Sequence, residues 1–289
     1  MRVLVTGASG QLGRDVMDVL VPRYEVIGIG RKEADLEDTH ALEALLHRAS
    51  PDCIIHCAAY TKVDQAESER ERCARINVDA TAAIARVAQE IGASLLYFST
   101  DYVFDGRKEG PYETSDTPEP INHYGLTKLL GERAVSDLVK EHFIVRTSWV
   151  FGRNGHNFVN AILRKAAGAG HVQVVADQVG SPTYTRDLAE LIAGMVSTRE
   201  FGLYHATNEG FCSWYEFALE ILSRAGRETE VEAISSEHYA SKAARPKNSR
   251  LSKSSLDEHG FPRLPDWRDA LQRYLGEIGA LAVARGEDS

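Results

Sequence analysis

The sequence predicts an α/β protein built on a doubly wound parallel sheet, with a smaller, mostly C-terminal lobe. The chain opens with a β-branched run at residues 3–6, a glycine-rich turn and a stretch of helical spacing. Strand-like apolar runs then alternate with helical patterns at roughly 25- to 40-residue intervals, as in parallel βαβ units. This regularity weakens from Trp149 onward. We therefore predict a Rossmann-like sheet in the N-terminal half and a second lobe assembled from separate pieces of chain.

Composition and charge exclude several classes of function. The chain has 289 residues and a net charge of −9, from 33 basic and 42 acidic side chains, which argues against a nucleic-acid or anionic-membrane surface. The sequence has no apolar run of membrane-spanning length and no signal-peptide pattern, so we expect a cytoplasmic protein with a small-molecule partner. The cysteines lack the spacing of a zinc site, and we expect buried small hydrophobes. They are Cys53, Cys57, Cys73 and Cys212.

The glycine-rich turn after the first strand predicts the phosphate end of a dinucleotide site. Gly7 allows a sharp exit from the strand, Gly10 lets backbone N–H groups approach a pyrophosphate, and Gly13 removes a side chain where helix meets sheet. The helix that follows directs about half a positive charge at the phosphates. The spacing is Gly-x-x-Gly-x-x-Gly, and on the glycines alone an ordinary strand-to-helix turn is the alternative.

The tip of the second predicted strand, residues 24–30, bears on the choice of cofactor. In dinucleotide folds this tip, roughly 20 residues after the glycine loop, meets the adenosine ribose, and an acid there favours NAD. Here Arg31 and Lys32 follow, with no acid in place. Two cations suit a 2′-phosphate and predict NADPH, with NADH as the other cofactor to test. The alternative is two solvated basic residues in a turn.

The remaining elements continue the alternation. We predict helices over residues 39–49 and 77–91, the second ended by Gly92, and strands over 52–58, 94–99 and 142–147. The first of these strands runs into Ala58 and Ala59, whose small side chains let a flat cofactor lie against backbone. Residues 172–176 and 203–207 are predicted as later strands.

These elements suggest how the chain is divided. The predicted dinucleotide-binding domain comprises residues 1–148 plus about 172–206. The predicted substrate-binding lobe comprises about 149–171 plus 207–289, with helices over 158–167 and 214–224 and a last helix opening at Pro265. The tail, residues 284–289, is expected to fray.

Three polar side chains predict ketone chemistry. Thr100 ends a strand, where open α/β sheets bind ligands, and Tyr124 and Lys128 stand at i and i+4 on one helix face. A free phenol titrates near pH ~10, and a neighbouring ammonium pulls that value toward neutrality. Thr100 would hydrogen-bond a ketone oxygen and Tyr124 would protonate it. Lys128 would also reach the ribose hydroxyls of a nicotinamide cofactor.

These motifs together resemble the dTDP-4-dehydrorhamnose reductases, a branch of the extended short-chain dehydrogenase/reductase family. The resemblance covers nearly the whole chain. Beyond the glycine loop and the Tyr124/Lys128 pair, it rests on residues 58–67, 99–106, 146–150, 180–183 and 245–251. It implies NADPH-dependent reduction of the 4-keto group of dTDP-6-deoxy-L-lyxo-4-hexulose to dTDP-L-rhamnose, a step of cell-envelope polysaccharide biosynthesis.

The resemblance also assigns site residues. Those lining the cofactor would be Gly10, Gln11, Leu12, Asp35, Leu36, Ala59, Tyr60 and Thr61. Those facing the deoxysugar would be Thr100, Asp101, Tyr102 and Trp149. We further expect Arg245 to grip the substrate's diphosphate through two parallel hydrogen bonds, in one cleft with Trp149, Thr100 and Tyr124. A solvated loop charge is the alternative for Arg245.

Two departures from related enzymes narrow the prediction. Sugar-nucleotide 4,6-dehydratases resemble this layout but carry an Asp-Glu pair after the strand-tip Thr. Here Tyr102 fills the glutamate position, so elimination would lack its base whereas reduction needs none.

Some rhamnose reductases dimerise through Mg²⁺ held by carboxylates. Asp15 and Glu277 would correspond to two of these, but Arg186 stands where a further acid is expected. We therefore assign no metal site, expect Asp15 and Glu277 on solvated helix faces, and leave a homodimer open.

Two alternatives to this function stay open. One keeps the chemistry and changes the substrate to another 4-keto-6-deoxy nucleotide sugar. The other is a non-catalytic NADP-binding regulatory subunit, because the β-subunit of methionine adenosyltransferase resembles this same family. The intact set of Thr100, Tyr124 and Lys128 argues against the second alternative, since a pure scaffold needs no tuned phenol.

Overall fold

The computed structural model describes residues 1–168 and 170–282, so the tail predicted to fray, residues 284–289, lies outside the described residues. The strands are β1 Arg2–Thr6, β2 Glu25–Ile29, β3 Cys53–His56, β4 Ser94–Thr100, β5 His142–Thr147, β6 Val150–Phe151, β7 His171–Val175, β8 Val179–Gly180, β9 Thr183–Tyr184, β10 Gly202–His205, β11 Cys212–Ser213, β12 Glu230–Ile234 and β13 Asn248–Ser249.

The helices lie between these strands and after them. They are α1 Gln11–Leu20, α2 Thr39–Ala49, α3 Val63–Ala66, α4 Arg70–Ala74, α5 Ala80–Ile91, α6 His123–Leu138, α7 Phe158–Gly168, α8 Thr185–Met195, α9 Trp214–Arg224, α10 Ser254–Glu258 and α11 Trp267–Glu277. A π-helical turn, Arg75–Asp79, joins α4 to α5, and 3₁₀ turns occupy Asp101–Val103 and Ser236–His238.

Six strands form one parallel sheet in the order β10-β5-β4-β3-β1-β2, which confirms the predicted doubly wound α/β fold. The chain runs from β1 to β2 at one edge and then crosses back over β1 to β3. The winding direction therefore changes between β1 and β3. In open α/β sheets such a switch point, at the carboxyl ends of the strands, is where ligands bind.

Helices cover both faces of this sheet. On one face α1 and α8 bury Val16, Leu20 and Leu188, and on the other α2 and α5 bury Leu42 and Ile84. Strand β3 is buried along its whole length, because both of its faces are covered. This explains why the β3 sequence is a continuous apolar run rather than an alternating one.

The helix α6 is fixed to the sheet by a buried ion pair. Arg146 on β5 donates from Nε and Nη2 to the two carboxylate oxygens of Glu132 on α6, at 2.8 and 2.7 Å. Both side chains are buried, and the bidentate geometry sets the angle as well as the position of the helix. At its N-terminus, Asn122 caps α6 by accepting a hydrogen bond from Gly125 N at 2.7 Å.

The helix predicted over residues 77–91 is present, but it continues an earlier helical stretch, since α4, the π-helical turn and α5 follow one another without a gap from Arg70 to Ile91. Asn77 lies in the π-helical turn, and its side chain pairs with the backbone of Tyr60: Oδ1 accepts from Tyr60 N at 2.8 Å and Nδ2 donates to Tyr60 O at 3.1 Å. This contact between distant segments accompanies the distortion at the start of the helix. Gly92 ends α5 in the left-handed conformation, as predicted, with φ +72°.

Outside the central sheet, the described residues form three small sheets and a separate hydrophobic core, in the region predicted as the second lobe. The sheets are β11-β8-β13, β12-β7 and β6-β9. Phe217, Trp267 and Tyr274 are buried at the centre of this core. The predicted helices over residues 158–167 and 214–224 are present as α7 and α9, and the helix expected at Pro265 begins at Trp267.

One predicted strand lies in a different sheet from the one expected. Residues 203–207 join the central sheet as β10, but residues 172–176, predicted for the same sheet, form β7 and pair with β12. In β7, His171 and Gln173 are exposed whereas Val172 and Val174 are buried, a one-sided pattern that a central parallel strand does not have. The division into a dinucleotide-binding domain and a substrate-binding lobe stays a prediction.

Two further sequence expectations concern the chain as a whole. Within the described residues, no helix combines the length and the apolar character needed to cross a membrane. All four cysteines carry free thiols, buried at Cys53, Cys73 and Cys212 and partly buried at Cys57, as their spacing predicts.

Candidate active site

The glycine loop at the switch point is shaped by close backbone contacts. Gly7 has φ +65°, and a Cβ there would lie 2.8 Å from Ala58 N; a Cβ at Gly13 would lie 2.1 Å from Gly7 O. Gly10 N donates to Gly7 O at 2.8 Å, and Gly10 caps α1 with no side-chain hydrogen bond to the helix. The first turn of α1 is therefore without a side-chain cap, on the side where a pyrophosphate would bind.

Gln11 and Leu12 are the first two residues of α1. The side chain of Gln11 contacts the segment after β5, and that of Leu12 contacts the hydrophobic core. Gln11 donates from Nε2 to Val150 O at 3.1 Å and accepts at Oε1 from Asn157 Nδ2 at 3.1 Å. Leu12 packs against the core under α1. Through these two hydrogen bonds, Gln11 connects the end of the glycine loop to the segment after β5.

The tip of β2 carries both signs of charge. Arg31 and Lys32 are exposed there, as expected for residues that meet a cofactor phosphate or solvent. Glu33 turns back onto the tip, and its Oε2 accepts from Gly30 N at 2.8 Å. Glu33 therefore adds a carboxylate to the tip, three residues beyond Gly30, which the sequence analysis did not consider. Asp35 is also exposed and accepts at Oδ1 from Glu37 N at 3.1 Å.

The segment after β3 continues the same edge of the sheet. Ala58 and Ala59 are partly buried, and Thr61 is exposed. Tyr60 is buried with its backbone held by Asn77, which also donates to Thr127 Oγ1 on α6 at 3.0 Å. Leu36, the remaining predicted cofactor residue, lies partly buried against the cluster that contains Tyr60.

Thr100 and Asp101 form a buried pair at the carboxyl end of β4. Thr100 Oγ1 donates to Asp101 Oδ1 at 2.9 Å and accepts from Tyr102 N at 3.2 Å. Asp101 is 3% exposed, and its Oδ2 has no hydrogen-bond partner among the described residues. Burial raises the pKa of Asp101 to about 6, and the nearby hydroxyls of Ser249 and Thr100 partly offset this rise.

Tyr124 meets this pair from α6. Its ring packs edge-on against Tyr102, with centroids 5.8 Å apart. Burial raises the pKa of Tyr124 well above its ordinary value, the negative charge of Asp101 raises it further, and the nearby Thr100 hydroxyl partly offsets both. The prediction that Lys128 draws this pKa toward neutrality is therefore wrong for this structure.

Lys128 lies one turn further along α6, in a different environment. Its Nζ is 4.0 Å from the centroid of the Tyr97 ring, a cation–π contact. Burial lowers the pKa of Lys128 to about 7, although the charge of Glu132 acts in the opposite direction. The side chain is 3% exposed. Lys128 is thus a buried amine whose observed contact is the Tyr97 ring.

Arg245 approaches the site from the second lobe. Its Nη2 lies 2.8 Å from Asp64 Oδ2 and its Nη1 3.2 Å from Asp64 Oδ1, and Asp64 also accepts from the backbone N–H groups of Lys242 and Ala243. The guanidinium also lies near Tyr102, where its charge lowers the pKa of that phenol, which burial raises. Arg245 is therefore next to the ring that packs on Tyr124, and is held there by Asp64.

Trp149 lies just past β5 with its backbone in the left-handed region, at φ +49°. Its indole stacks on Trp214, with ring centroids 3.6 Å apart, and covers Gly180, where a Cβ would lie 2.7 Å from Trp149 Cε2. A non-glycine residue with such a φ is uncommon, and such residues concentrate near functional sites. The predicted sugar-facing surface is thus a tryptophan pair.

A short strand joins these parts of the site. Ser249 on β13 lies close enough to Asp101 for its hydroxyl to lower the pKa of that carboxyl, and it is paired in register with Gly180 on β8, against which Trp149 packs. Thr100, Asp101, Tyr102, Tyr124 and Arg245 therefore lie in one continuous group of contacts, and Ser249 connects it to Trp149. Lys128 does not belong to this group, because its Nζ is directed to the Tyr97 ring.

Sequence reasoning missed four residues that the structure places at the site: Glu33, Asp64, Trp214 and Ser249. Ser249 and Asp64 lie inside two of the motifs on which the family resemblance rests, residues 245–251 and 58–67. The sequence therefore contained a signal for both residues. Glu33 and Trp214 gave no local signal, because the position of Glu33 depends on its side chain folding back and that of Trp214 on a contact between the start of α9 and the segment after β5.

The carboxylates considered for a metal have other partners. Asp15 is buried, not on a solvated helix face as expected, and accepts a hydrogen bond from Thr185. Burial and the nearby charge of Glu277 raise the pKa of Asp15. Glu277 accepts from Tyr184 and lies 3.4 Å from Arg153 Nη1. Across residues 1–168 and 170–282, no three His, Cys, Asp or Glu side chains come together as a metal site.

With this geometry in place, comparison with known proteins assigns the family. Residues 1–279 match the family model described as the RmlD substrate binding domain. The chain belongs to this family. The match spans nearly all of the sequence, and the resemblance predicted from the motifs is confirmed.

Individual relatives of this family agree along most of their length. The chain is 41% identical over 277 residues to the spore coat polysaccharide biosynthesis protein SpsK of Bacillus subtilis, covering 96% of this chain and 97% of the relative. It is 38% identical over 285 residues to a dTDP-4-dehydrorhamnose reductase of Aggregatibacter actinomycetemcomitans, covering 94% and 97%. The crystal structure of dTDP-4-dehydrorhamnose reductase from Bacillus anthracis in complex with NADP has a TM-score of 0.93 and 42% identity, covering 96% and 99%.

Proposed function

We propose that the protein is an NADPH-dependent reductase of the 4-keto group of dTDP-6-deoxy-L-lyxo-4-hexulose and produces dTDP-L-rhamnose. The observation that carries this proposal is the grouping of Thr100, Asp101 and Tyr124 at the carboxyl end of β4, on the same sheet edge as the glycine loop. The relatives named as dTDP-4-dehydrorhamnose reductases, one of them bound to NADP, support both the chemistry and the cofactor.

The residues at the switch point fit a nicotinamide dinucleotide, which supplies a hydride when bound. Gly7 and Gly13 lie where any side chain would collide with backbone, and the N-terminus of α1 has no side-chain cap. Arg31 and Lys32 are exposed at the tip of β2, within reach of a 2′-phosphate. Lys128 would bind the ribose hydroxyls on the nicotinamide side.

Tyr124 would act as the general acid. Its raised pKa keeps the phenol protonated at neutral pH, and the protonated form is the one that can give a proton to a ketone oxygen. The Thr100 hydroxyl beside it would hydrogen-bond the same oxygen and orient the carbonyl. Proton donation by Tyr124 would neutralise the charge that develops on the oxygen as hydride reaches carbon.

The sugar nucleotide would lie between Arg245 and the tryptophan pair. Arg245 offers a guanidinium to the diphosphate, although Asp64 occupies its Nη1 and Nη2 in this structure. A diphosphate would replace Asp64 or use the remaining Nε–H. Trp149 offers a flat apolar surface for the methyl side of the deoxysugar.

The deciding experiment incubates the purified protein with dTDP-6-deoxy-L-lyxo-4-hexulose and NADPH. Absorbance of the reduced nicotinamide follows the reaction, and NMR identifies the sugar. We expect stoichiometric NADPH oxidation and dTDP-L-rhamnose. Tight NADPH binding with no oxidation would favour the regulatory-subunit alternative, and a product of other configuration, or turnover only with another 4-keto sugar, would favour the alternative substrate.

A further inference from the structure

One member of the tryptophan pair has no part in the proposed function so far. We propose that Trp214 is a positioning residue for the sugar: it stacks on Trp149 and holds that indole in the orientation in which it meets the sugar. The proposal rests on the proposed function, in which Trp149 contacts the deoxysugar. Trp214 then determines the affinity for the sugar through Trp149 and not through a contact of its own.

The conformation of Trp149 depends on its surroundings. Its φ of +49° lies in the left-handed region, which a residue with a large side chain rarely adopts. The backbone is held there by the pairing of β6 with β9, and Thr183 N donates to Trp149 O at 3.2 Å. Such a conformation persists only where the surrounding structure imposes it. The direction of the indole is therefore set by the groups that contact the ring.

Two residues make close contact with this indole. Trp214 stacks on it, with ring centroids 3.6 Å apart and ring planes 12° from parallel, which is van der Waals contact across the rings. Gly180 also approaches it, because a Cβ at Gly180 would lie 2.7 Å from Trp149 Cε2, 2.9 Å from Cζ2 and 3.0 Å from Nε1. Trp214 and Gly180 together form what we call the indole seat.

Trp214 is fixed independently of Trp149. It is the first residue of α9, directly after the N-cap Ser213. A capping box holds this turn, since Ser213 N donates to Glu216 Oε2 at 2.7 Å and Glu216 N donates to Ser213 Oγ at 3.1 Å. Phe158 on α7 contacts the Trp214 ring, with centroids 4.5 Å apart. Trp214 therefore has the anchors that a positioning residue needs.

The indole seat lies at the edge of a hydrophobic core and close to the reactive groups. Phe217 and Trp267 at the centre of this core are fully buried, whereas Trp149 and Trp214 are only partly buried. A pair that only filled the core would be covered on all sides. Gly180 pairs with Ser249, which lies near Asp101 at the end of β4. The pair is thus accessible to a ligand that also reaches Asp101.

The test compares the binding of dTDP-L-rhamnose and of dTDP by calorimetry in wild type, Trp214→Ala and Trp214→Phe. Because dTDP lacks the sugar, only dTDP-L-rhamnose reports the sugar contact. We expect Trp214→Ala to bind dTDP-L-rhamnose about tenfold more weakly, as for a lost apolar contact, and to bind dTDP and NADPH as wild type does. Trp214→Phe keeps a stacking ring and should stay within about threefold of wild type.

The kinetics with the 4-keto sugar should show the same selectivity. In Trp214→Ala the KM for the sugar nucleotide should rise by about the same tenfold factor, while kcat stays within about threefold of wild type. Leu219→Ala is the matched control on α9, because Leu219 is exposed and lies outside the stack. It should change neither the affinities nor the kinetics.

A double-mutant cycle decides whether Trp214 acts through Trp149. In a Trp149→Ala background, the further change Trp214→Ala should leave the affinity for dTDP-L-rhamnose unchanged, because the ring that Trp214 positions is gone. The same loss in both backgrounds would mean that Trp214 contacts the sugar itself or has only a general structural role, and would overturn the proposal.

Gly180→Ala provides a second route if Trp214→Ala does not fold. The added Cβ would displace the indole while Trp214 stays in place, so dTDP-L-rhamnose binding should again weaken about tenfold with dTDP binding unchanged. Stacked indoles also couple their electronic transitions and give a pair of circular dichroism bands of opposite sign. These bands should be present in wild type and Leu219→Ala and weakened in Gly180→Ala.

Three further results would overturn the proposal. They are unchanged dTDP-L-rhamnose affinity in Trp214→Ala, an equal loss of dTDP affinity, and a loss in Trp214→Phe as large as that in Trp214→Ala. If wild type binds dTDP-L-rhamnose no more tightly than dTDP and reduces no 4-keto sugar, it is the proposed function that fails, and the role of Trp214 falls with it.

Discussion

The two sides of the site are built in different ways. The side that we propose for the cofactor, the nucleotide side, is one short stretch, Gly7–Gly13, shaped by backbone contacts such as the close approach of Gly7 to Ala58. The side that we propose for the substrate, the sugar side, is assembled from Trp149, Arg245 and Ser249, which are held by stacking, an ion pair and short strand pairs. The first side depends on local geometry, and the second on contacts between segments far apart in the chain. Substitutions on each side should therefore affect one ligand only, and those at Thr100, Asp101 and Tyr124, between them, should affect turnover.

The largest effect is expected at Tyr124, between the two sides. Tyr124→Phe removes one hydroxyl, so folding and NADPH binding should stay close to wild type while kcat falls by about 10²–10⁴-fold, the usual contribution of a general acid. Steady-state kinetics and fluorescence titration of NADPH measure the two quantities. A variant within a few-fold of wild type would remove Tyr124 from the chemistry.

A stability effect at Asp101 should follow pH. Its pKa is about 6 when folded against 3.8 ordinarily, so the unfolded chain ionises first as pH rises. Wild-type stability should thus decline between about pH 4 and pH 6, by at most about 3 kcal/mol at 1.36 kcal/mol per pKa unit. Asp101→Asn should lack that decline. Melting temperatures of both proteins from pH 4 to pH 7 provide the measurement, and parallel curves would contradict the assignment.

Gly13→Ala tests whether the nucleotide side is rigid. The added Cβ would lie 2.1 Å from Gly7 O, a backbone atom that cannot move aside, so we expect a loss of about 1–3 kcal/mol in stability and weaker NADPH binding. Gly110→Ala is the matched control, since a Cβ there meets nothing within 4 Å and should change stability by about 0.5 kcal/mol or less. Equal behaviour of the two variants would mean that the loop adapts.

Cofactor choice should depend on the tip of β2 alone. Replacing Arg31 and Lys32 by Ala should weaken NADPH binding more than NADH binding, by about 1–3 kcal/mol, as for hydrogen bonds to a charged group. Glu33→Gln is the opposite control, because it removes a negative charge from the same tip and should strengthen NADPH binding. Calorimetry measures the affinity for each cofactor. An equal loss of affinity for NADPH and NADH would mean that Arg31 and Lys32 are solvated side chains with no role in cofactor choice.

The smallest effect is expected on the sugar side. Arg245→Lys keeps the charge but loses the two parallel hydrogen bonds, so the KM for the sugar nucleotide should rise about tenfold, or about 1.4 kcal/mol, with NADPH affinity unchanged. Asp64→Asn, which weakens the hold on Arg245, should leave NADPH affinity unchanged as well. A change in NADPH affinity in either variant would break the separation of the two sides.

The same contrast explains how much the sequence could predict. The helix over 39–49 was predictable to the residue, because Asp38 caps it locally through a hydrogen bond from Ala41 N. The start of α5 was not, because Asn77 pairs with the backbone of Tyr60 seventeen positions away. Glycine spacing predicts the nucleotide side well, since it depends on residues near one another in the chain.

Predictions failed where the environment rather than the residue type decides. The effect of Lys128 on Tyr124 was expected from their spacing, but spacing does not show that Tyr97 draws the ammonium and that burial and Asp101 dominate the phenol. The strand at 172–176 was correctly predicted as a strand, yet its partner β12 was not predicted, and nothing near residue 172 indicates which segment it pairs with. Pairing partners and burial emerge only from the folded chain.

The buried pair of Glu132 and Arg146 has a consequence for how this protein can diverge. Losing either residue alone would strand an uncompensated charge beside the helix that carries Tyr124 and Lys128, at a cost of about 3–5 kcal/mol, whereas exchanging both for well-packed apolar residues is often neutral. A variant that has lost only one of the two residues is the destabilised one. We therefore expect related proteins to keep both residues or to have replaced both. A descendant that tilts α6 to accept a different sugar must therefore keep both residues or exchange both in a single step.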